Sequence, residues 1–528
     1  MVEEYGGLAD GARFDFVIVG SGFGGSVCAL RLAEKGYSVA VLEAGRHFLD
    51  ADFARTNWDL PRWLWLPRFF FFGIQRLTLL RGLLVLSGAG VGGGSLVYAN
   101  TLLEPGEGFF GSPECRRLSS DLAGLLRPHY ETARRMLGAV LPPRLSAGDD
   151  VLRSCAEDMG RGETFHTVPV GVYFGEAGKT APDPYFGGKG PARAGCRFCG
   201  ACMVGCRHNA KNTLVKNYLH LALALGARVF SRTAVESLAA DAGGGYRLRL
   251  RRSGWSVRGK TLRARRVVVS AGVLGTVRLL MASSATLGGL PPLLGRHVRT
   301  NAEVLMGSTS RAEGRDFSEG LAISAGMRPD DDTQVEAVRY PAGSEALLAL
   351  SVRATPSGPL WRRLGRLALD ALGHPLESLR MLLPIGLARR STILLVMQAA
   401  DARIRLALGG CFGLTSAPEP GSAPLPTEHA SASEVLRRFA AKTDGVLLEP
   451  VMGLFGLSTT AHILGGAAMG TGQGDGVTDL YGRVFGKEGL WVVDGSLVPA
   501  NLGVNPSLTI TALAEHAMSA VPTASAAS

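Results

Sequence analysis

The run Phe14-Asp15-Phe16-Val17-Ile18-Val19-Gly20-Ser21-Gly22-Phe23-Gly24-Gly25 constrains this chain more than any other stretch. An apolar segment enters a turn with glycines at the first, third and sixth positions, and a helical pattern follows with Val27, Leu30 and Leu32 on one side. Gly20 permits the tight turn, Gly22 lets a backbone approach a pyrophosphate, and Gly25 allows a helix to lie close on a strand. The first N–H groups of that helix would then face the phosphates. A second short strand, Ser38 to Leu42, ends at Glu43, whose carboxylate is placed to accept from ribose hydroxyls and to repel a 2′-phosphate. This spacing predicts a Rossmann-like dinucleotide unit without separating FAD from NAD.

At 528 residues the chain is long enough for two or three domains. A second glycine-rich stretch lies at 87–95, strand patterns return at 227–271, and a helix closes the chain from Thr509 to Met518. Nucleotide-binding pieces so far apart predict a discontinuous cofactor domain of 11–46, 87–105, 210–300 and 478–522. The substrate domain, of mixed sheet plus helices, is then 47–86, 106–209 and 301–477, and 523–528 is a disordered tail. The fold class is α/β for the first and α+β for the second.

Hydrophobic content of 46% argues against disorder. A net charge of +11 favours anionic surfaces. No block of basic residues interleaved with aromatics marks a nucleic-acid site, so nucleic acid is not an expected partner. The acidic start Met1-Val2-Glu3-Glu4-Tyr5 lacks the pattern of a signal peptide, and no apolar run is long enough to span a bilayer. The expected location is cytoplasmic, peripheral to the membrane if two greasy and basic segments face lipid. These are Trp58 to Phe72 and Trp361 to Leu369. In the second, a helix would carry Leu364, Leu367, Ala371 and Leu372 on one face, with Arg362, Arg363 and Arg366 mostly away from it. Core packing and an interfacial patch are equally consistent with both segments.

The last seventy residues hold the reactive groups. His462 lies in Thr460-Ala461-His462-Ile463-Leu464-Gly465-Gly466, and Asn505 in Gly503-Val504-Asn505-Pro506-Ser507. Oxidising an alcohol requires removal of the hydroxyl proton as a hydride leaves carbon, and a histidine titrating near neutrality suits the first task. Asn505 is a neutral donor and acceptor for the alcohol oxygen. Asp494-Gly495-Ser496 ends an apolar strand in a turn between them.

A glycine cradle at one end with a His/Asn pair at the other resembles the glucose-methanol-choline (GMC) oxidoreductases, and most of all their bacterial cholesterol-oxidase group. The resemblance covers essentially the whole chain. It implies FAD as cofactor, with Gly92, Gly93 and Ser95 in a loop beside the flavin ring. Asn100 stands near there, while Tyr98 occupies the place where relatives usually carry Asn. It further implies that Val235 meets adenine and that Asp494 and Gly495 meet the phosphate–ribityl region. Pro341-Ala342-Gly343-Ser344-Glu345 is similar to the segment whose glutamate moves a proton on the steroid, and Glu336 is a second candidate for that task.

The implied function is FAD-dependent oxidation of a secondary alcohol on a hydrophobic, sterol-like substrate, with 5-ene to 4-ene isomerisation as an optional second step and oxygen or another electron acceptor. One alternative is a dehydrogenase of another lipophilic alcohol that passes electrons to a quinone or a protein. Another is a non-catalytic flavin-bearing lipid-binding protein.

Cys196, Cys199, Cys202 and Cys206 have the spacing of a ferredoxin half-site, although Arg207 follows where ferredoxins have Pro. An iron–sulfur cluster, zinc and unligated or disulfide-linked thiols are the alternatives.

Overall fold

The computed structural model describes residues 1–526 except 255–258, 313, 357, 412 and 427. Of the tail 523–528, residues 527 and 528 lie outside the described set, and Ala524–Ala526 form a 3-10 turn.

The chain builds an α/β cofactor unit around an eight-stranded sheet. Its central strands are parallel, in the order Arg228–Ser231, Val39–Leu42, Arg13–Val19, Lys260–Val269. The long strand Lys260–Val269 divides its outer edge between two partners. Its first half pairs antiparallel with Tyr246–Arg252, and Val267–Val269 pair parallel with Leu490–Val492. That last pairing brings the C-terminal segment beside the N-terminal strand, so both ends of the chain reach one edge of the cofactor site. Val39–Leu42 is buried throughout, as a strand covered on both faces should be. The helices Phe23–Glu34 and Ser507–Ser519 pack over one face, and Leu122–Leu137 packs on the latter.

A second, seven-stranded sheet forms the other wall of the site. Its middle is antiparallel, with Val304–Ser310 beside Ser391–Gln398, and Ser391–Gln398 beside Thr333–Val338. The helices Ala147–Asp158 and Ala430–Lys442 cover its rear through Leu152, Val435, Leu436 and Phe439. Just beyond the strand Thr333–Val338, Arg339 and Asp149 form a fully buried ion pair at 3.0 Å. Arg339 also donates to the Leu321 carbonyl, so its charge is met by several acceptors rather than one.

The aromatic segment 58–72 is not one exposed patch. Trp63 and Phe72 are core residues, and the short strands Trp65–Leu66 and Phe71–Phe72 pair antiparallel. Phe69 remains exposed.

Candidate active site

The glycines of the first turn are dictated by neighbouring backbone. Gly20 adopts φ +100, and a side chain there would collide with the Ser270 carbonyl. A Cβ on Gly24 would overlap the Val493 carbonyl, which ties the helix start to the C-terminal strand. Gly25 lies against the Gly20 carbonyl, fixing helix on strand. Gly22 differs, because nothing lies within 4 Å of the position its Cβ would take. Its bare backbone faces a cavity of about 530 Å3. The second loop closes over the first, with a Cβ on Gly93 falling 2.6 Å from the Gly22 Cα.

Glu43, Val235, Asp494 and Gly495 all line this cavity with Gly20, Gly22 and Gly93. Glu43 is held by the Ser21 hydroxyl at 2.7 Å and the Gly45 N–H at 2.8 Å. Burial raises its pKa, and those donors oppose the shift. Asp494 accepts from the Thr276 hydroxyl at 2.6 Å and the Ser496 N–H at 2.8 Å, capping the turn that carries Gly495. An open-faced glycine turn, a helix N-terminus and a carboxylate at the second strand end fit the pyrophosphate and ribose of FAD.

Other residues of the second loop have structural roles. Gly92 and Ser95 are outside the cavity wall. The Ser95 hydroxyl donates to the Gly92 carbonyl at 2.7 Å and accepts the Leu214 N–H at 3.0 Å, bracing the loop from behind. Gly94 lines the cavity in their stead. Asn100 sits in a left-handed conformation, φ 71, and its side chain lines a separate small cavity beside the cysteines. It is not among the residues lining the large cavity, although its neighbours Ala99 and Thr101 are.

At the far wall the structure brings His462 and Asn505 to the same cavity. Neither acts alone. His462 Nδ1 lies 3.2 Å from Glu303 Oε2, a charge contact too poorly aligned to count as a hydrogen bond. Glu303 Oε2 is fixed by the Thr460 hydroxyl at 2.7 Å and the Ala461 N–H at 2.9 Å. Asn505 Nδ2 donates to Glu336 Oε2 at 3.2 Å. Asn301, at φ 58, ties these pieces together. Its amide donates to the Val504 carbonyl at 2.9 Å and its side-chain oxygen accepts the Gly503 N–H at 2.8 Å.

Burial alone would lower the pKa of His462, but the Glu303 carboxylate outweighs it and the net shift is upward. Burial pushes the Glu336 carboxyl up to about 7, against the opposing pull of the Asn505 amide and His462. Glu303 Oε1, Glu336 Oε1 and Asn505 Oδ1 are buried and have no protein partner, as acceptors awaiting a polar ligand group would be.

Glu345 is placed elsewhere. Its carboxylate accepts the Trp58 indole N–H at 3.2 Å and the Gly343 N–H at 3.1 Å, and it does not line the cavity. Glu336 does not line the cavity either, but it lies in the strand Thr333–Val338 and accepts from Asn505, which does. Glu303 was not singled out from sequence at all. An isolated acid between Ala302 and Val304 carries no local signal, and only the fold sets it against His462.

The four clustered cysteines line the small cavity together with Asn100 and Lys211. Among the described residues no group of three or more His, Cys, Asp or Glu side chains is arranged to hold a metal ion. Burial pushes the Cys196 thiol up to about 12 and the Cys202 thiol up to about 11. The spacing brings the thiols near one another without converging them as a ligand set, so neither iron–sulfur nor zinc is supported.

A dinucleotide cradle opening onto a carboxylate-backed histidine is the working arrangement of a flavin-dependent oxidoreductase. The chain belongs to the GMC oxidoreductase family. Family models described as GMC oxidoreductase match residues 192–297 and 427–514, and one described as an NAD(P)-binding Rossmann-like domain matches 18–54. A cholesterol oxidase of Mycobacterium tuberculosis is 46% identical over 96% of this chain and 91% of its own length. A cholesterol oxidase of Acinetobacter baumannii is 41% identical over 96% and 94%. Among solved structures, pyridoxine 4-oxidase from Mesorbium loti superposes with a TM-score of 0.60 at 17% identity, covering 96% of this chain and 98% of its own, a likeness of fold. The protein is an FAD-dependent oxidoreductase of the cholesterol-oxidase-like branch.

Proposed function

We propose that the protein oxidises the secondary hydroxyl of a sterol-class alcohol with FAD, passes the electrons to oxygen and isomerises the product. The observation that carries this reading is the placement of His462, Asn505 and the buried Glu303 carboxylate in the wall of a largely apolar cavity shared with the dinucleotide cradle, with a second buried carboxylate, Glu336, bonded to Asn505. The cavity is lined by Leu305, Ile323, Val338, Leu348, Leu395 and Met452, a surface for fused rings or long chains rather than sugars. Two relatives named cholesterol oxidase, at 46% and 41% identity, support the choice of a sterol and of oxygen.

Gly20, Gly22, Gly93, Glu43 and Asp494 would hold the cofactor. When bound, FAD supplies a hydride acceptor. The chain supplies the rest. His462 takes the hydroxyl proton, Asn505 orients the alcohol oxygen, and Glu303 stabilises the imidazolium that results. The apolar wall excludes water from these charges. In the isomerisation, Glu336 takes a proton from the carbon between the new ketone and the alkene and returns it to the far alkene carbon. A carboxyl with a pKa near 7 exchanges that proton readily at neutral pH.

The pH profile tests the Glu303–His462 pair. A protonated His462 cannot act as base, and its pKa lies above the ordinary 6.5. Alcohol oxidation should therefore rise with pH through an inflection above 6.5. In Glu303→Gln the carboxylate that raises it is gone, and the inflection should move to lower pH, accompanied by a reduced plateau. An unmoved inflection in that variant would remove Glu303 from its assigned role.

A further inference from the structure

We infer that the helical hairpin formed by Leu360–Gly373 and Pro375–Leu382 is a docking face for an anionic bilayer surface, placed beside the substrate cavity. The inference rests on the reading of the substrate as lipophilic.

The first helix is inverted relative to the usual pattern of a water-soluble protein. Its one buried side chain is Arg363, while Trp361 is 70% exposed, Leu369 70% and Leu372 79%. The apolar surface continues through the next helix and its exit, where Leu376 is 76% and Ile385 84% exposed. This reverses the face expected from the sequence, in which Arg363 pointed away from the core. A contiguous apolar surface of this kind marks an interaction site.

The hairpin is attached to the body through ionic contacts. Arg363 donates to Glu449 Oε2 at 2.5 Å, to the Thr355 hydroxyl at 2.9 Å and to the Gly453 carbonyl at 2.9 Å. Arg353 pairs with Asp370 and lies 3.6 Å from Glu377. The strands and turns that receive these contacts form the cavity wall, since Leu350, Glu449, Pro450 and Met452 all line it. A molecule leaving a membrane under the hairpin would therefore meet the cavity directly.

Charge decides between a bilayer and a second copy of the chain. Arg362, Arg366 and Arg380 are exposed on the hairpin, with no acidic partner among the described residues. Arg362 stacks on Trp361 at 5.0 Å, a pairing suited to the boundary between headgroups and acyl chains. A twofold contact between two such faces would set arginines against arginines, whereas anionic headgroups neutralise them. No helix among the described residues is long and apolar enough to cross a membrane, so this face would lie on the surface.

Flotation of the flavin-loaded protein with vesicles tests the assignment, using phosphatidylcholine alone and phosphatidylcholine mixed with phosphatidylglycerol. The wild-type protein should float with the anionic vesicles at low salt and be released by high salt. Leu369→Ser/Leu372→Ser and Arg366→Glu/Arg380→Glu should each lower the bound fraction by at least about tenfold. Both should still reduce their flavin with detergent-dispersed alcohol, showing that fold and site are intact. A wild-type protein that stays at the bottom of the gradient at low salt overturns the docking face. So does a wild-type dimer in solution that Leu369→Ser/Leu372→Ser converts to a monomer without vesicle binding. Vesicle binding is read without turnover, so a protein that floats yet oxidises no alcohol would contradict the functional reading and leave the docking face standing.

Discussion

Replacing His462 with Gln should leave the flavin bound and lower anaerobic flavin reduction by at least about a hundredfold, the scale of losing a general base. Gln keeps a similar volume and can still donate a hydrogen bond. The cavity, whose glycine cradle lies against a separate part of the chain, should therefore persist. What disappears is the group that takes the hydroxyl proton. The loss should not be restored by raising the pH, because Gln has no basic form in that range. Stopped-flow absorbance of the flavin measures the effect, and the visible spectrum of the purified variant reports cofactor retention. Reduction at near wild-type rate would exclude His462 as the base.

The second large effect falls on the product. In Glu336→Gln the formation of the conjugated enone should drop by at least about a hundredfold, while oxidation of the alcohol falls much less. The unconjugated ketone then accumulates, and the two are separated by their ultraviolet absorbance. Glu345→Gln is the matched control. Its carboxylate is occupied by the Trp58 indole and the Gly343 N–H, whereas that of Glu336 is bonded to Asn505 of the cavity wall, so in the control both products should form as in the wild type. If Glu345→Gln abolishes the enone and Glu336→Gln does not, the assignment of the two acids is reversed.

The contrast between these acids shows what the sequence could convey. The glycine turn was legible because close backbone approach leaves few other residues possible, and Gly20, Gly24 and Gly25 indeed abut carbonyl oxygens. The cavity also collects Glu43 from the second strand end and Asp494 from the C-terminal turn, both marked by strand-to-turn transitions in the sequence. His462 and Asn505 stood out by local motif, and parallel pairing of Leu490–Val492 with Val267–Val269 brings that segment to the cofactor unit.

Glu303 and Glu336 had no comparable mark. Glu303 is a lone acid between a turn and the strand Val304–Ser310, and Glu336 a lone acid inside a strand whose role comes from register: it faces Leu395 across one pair and Gly326 across another, and accepts from Asn505. The aromatic run 58–72 and the helix 360–373 were ambiguous for a related reason. A linear pattern gives the spacing of apolar residues but not which side the body occupies, and in the helix an arginine took the inward position. The cysteine spacing likewise predicted nearness, and the four line one small cavity, yet among the described residues they form no group arranged to hold a metal ion.

The most direct test of the central claim is anaerobic mixing of the yellow protein with a matched panel: a 3-hydroxysterol, a long-chain primary alcohol and a sugar. The apolar cavity and the His462–Asn505 pair require that the sterol bleach the flavin, with the ketone appearing in equal amount and colour returning on admission of oxygen. Bleaching by the sugar alone, or no bleaching by any alcohol, would contradict the assignment of this protein as an oxidase of lipophilic secondary alcohols.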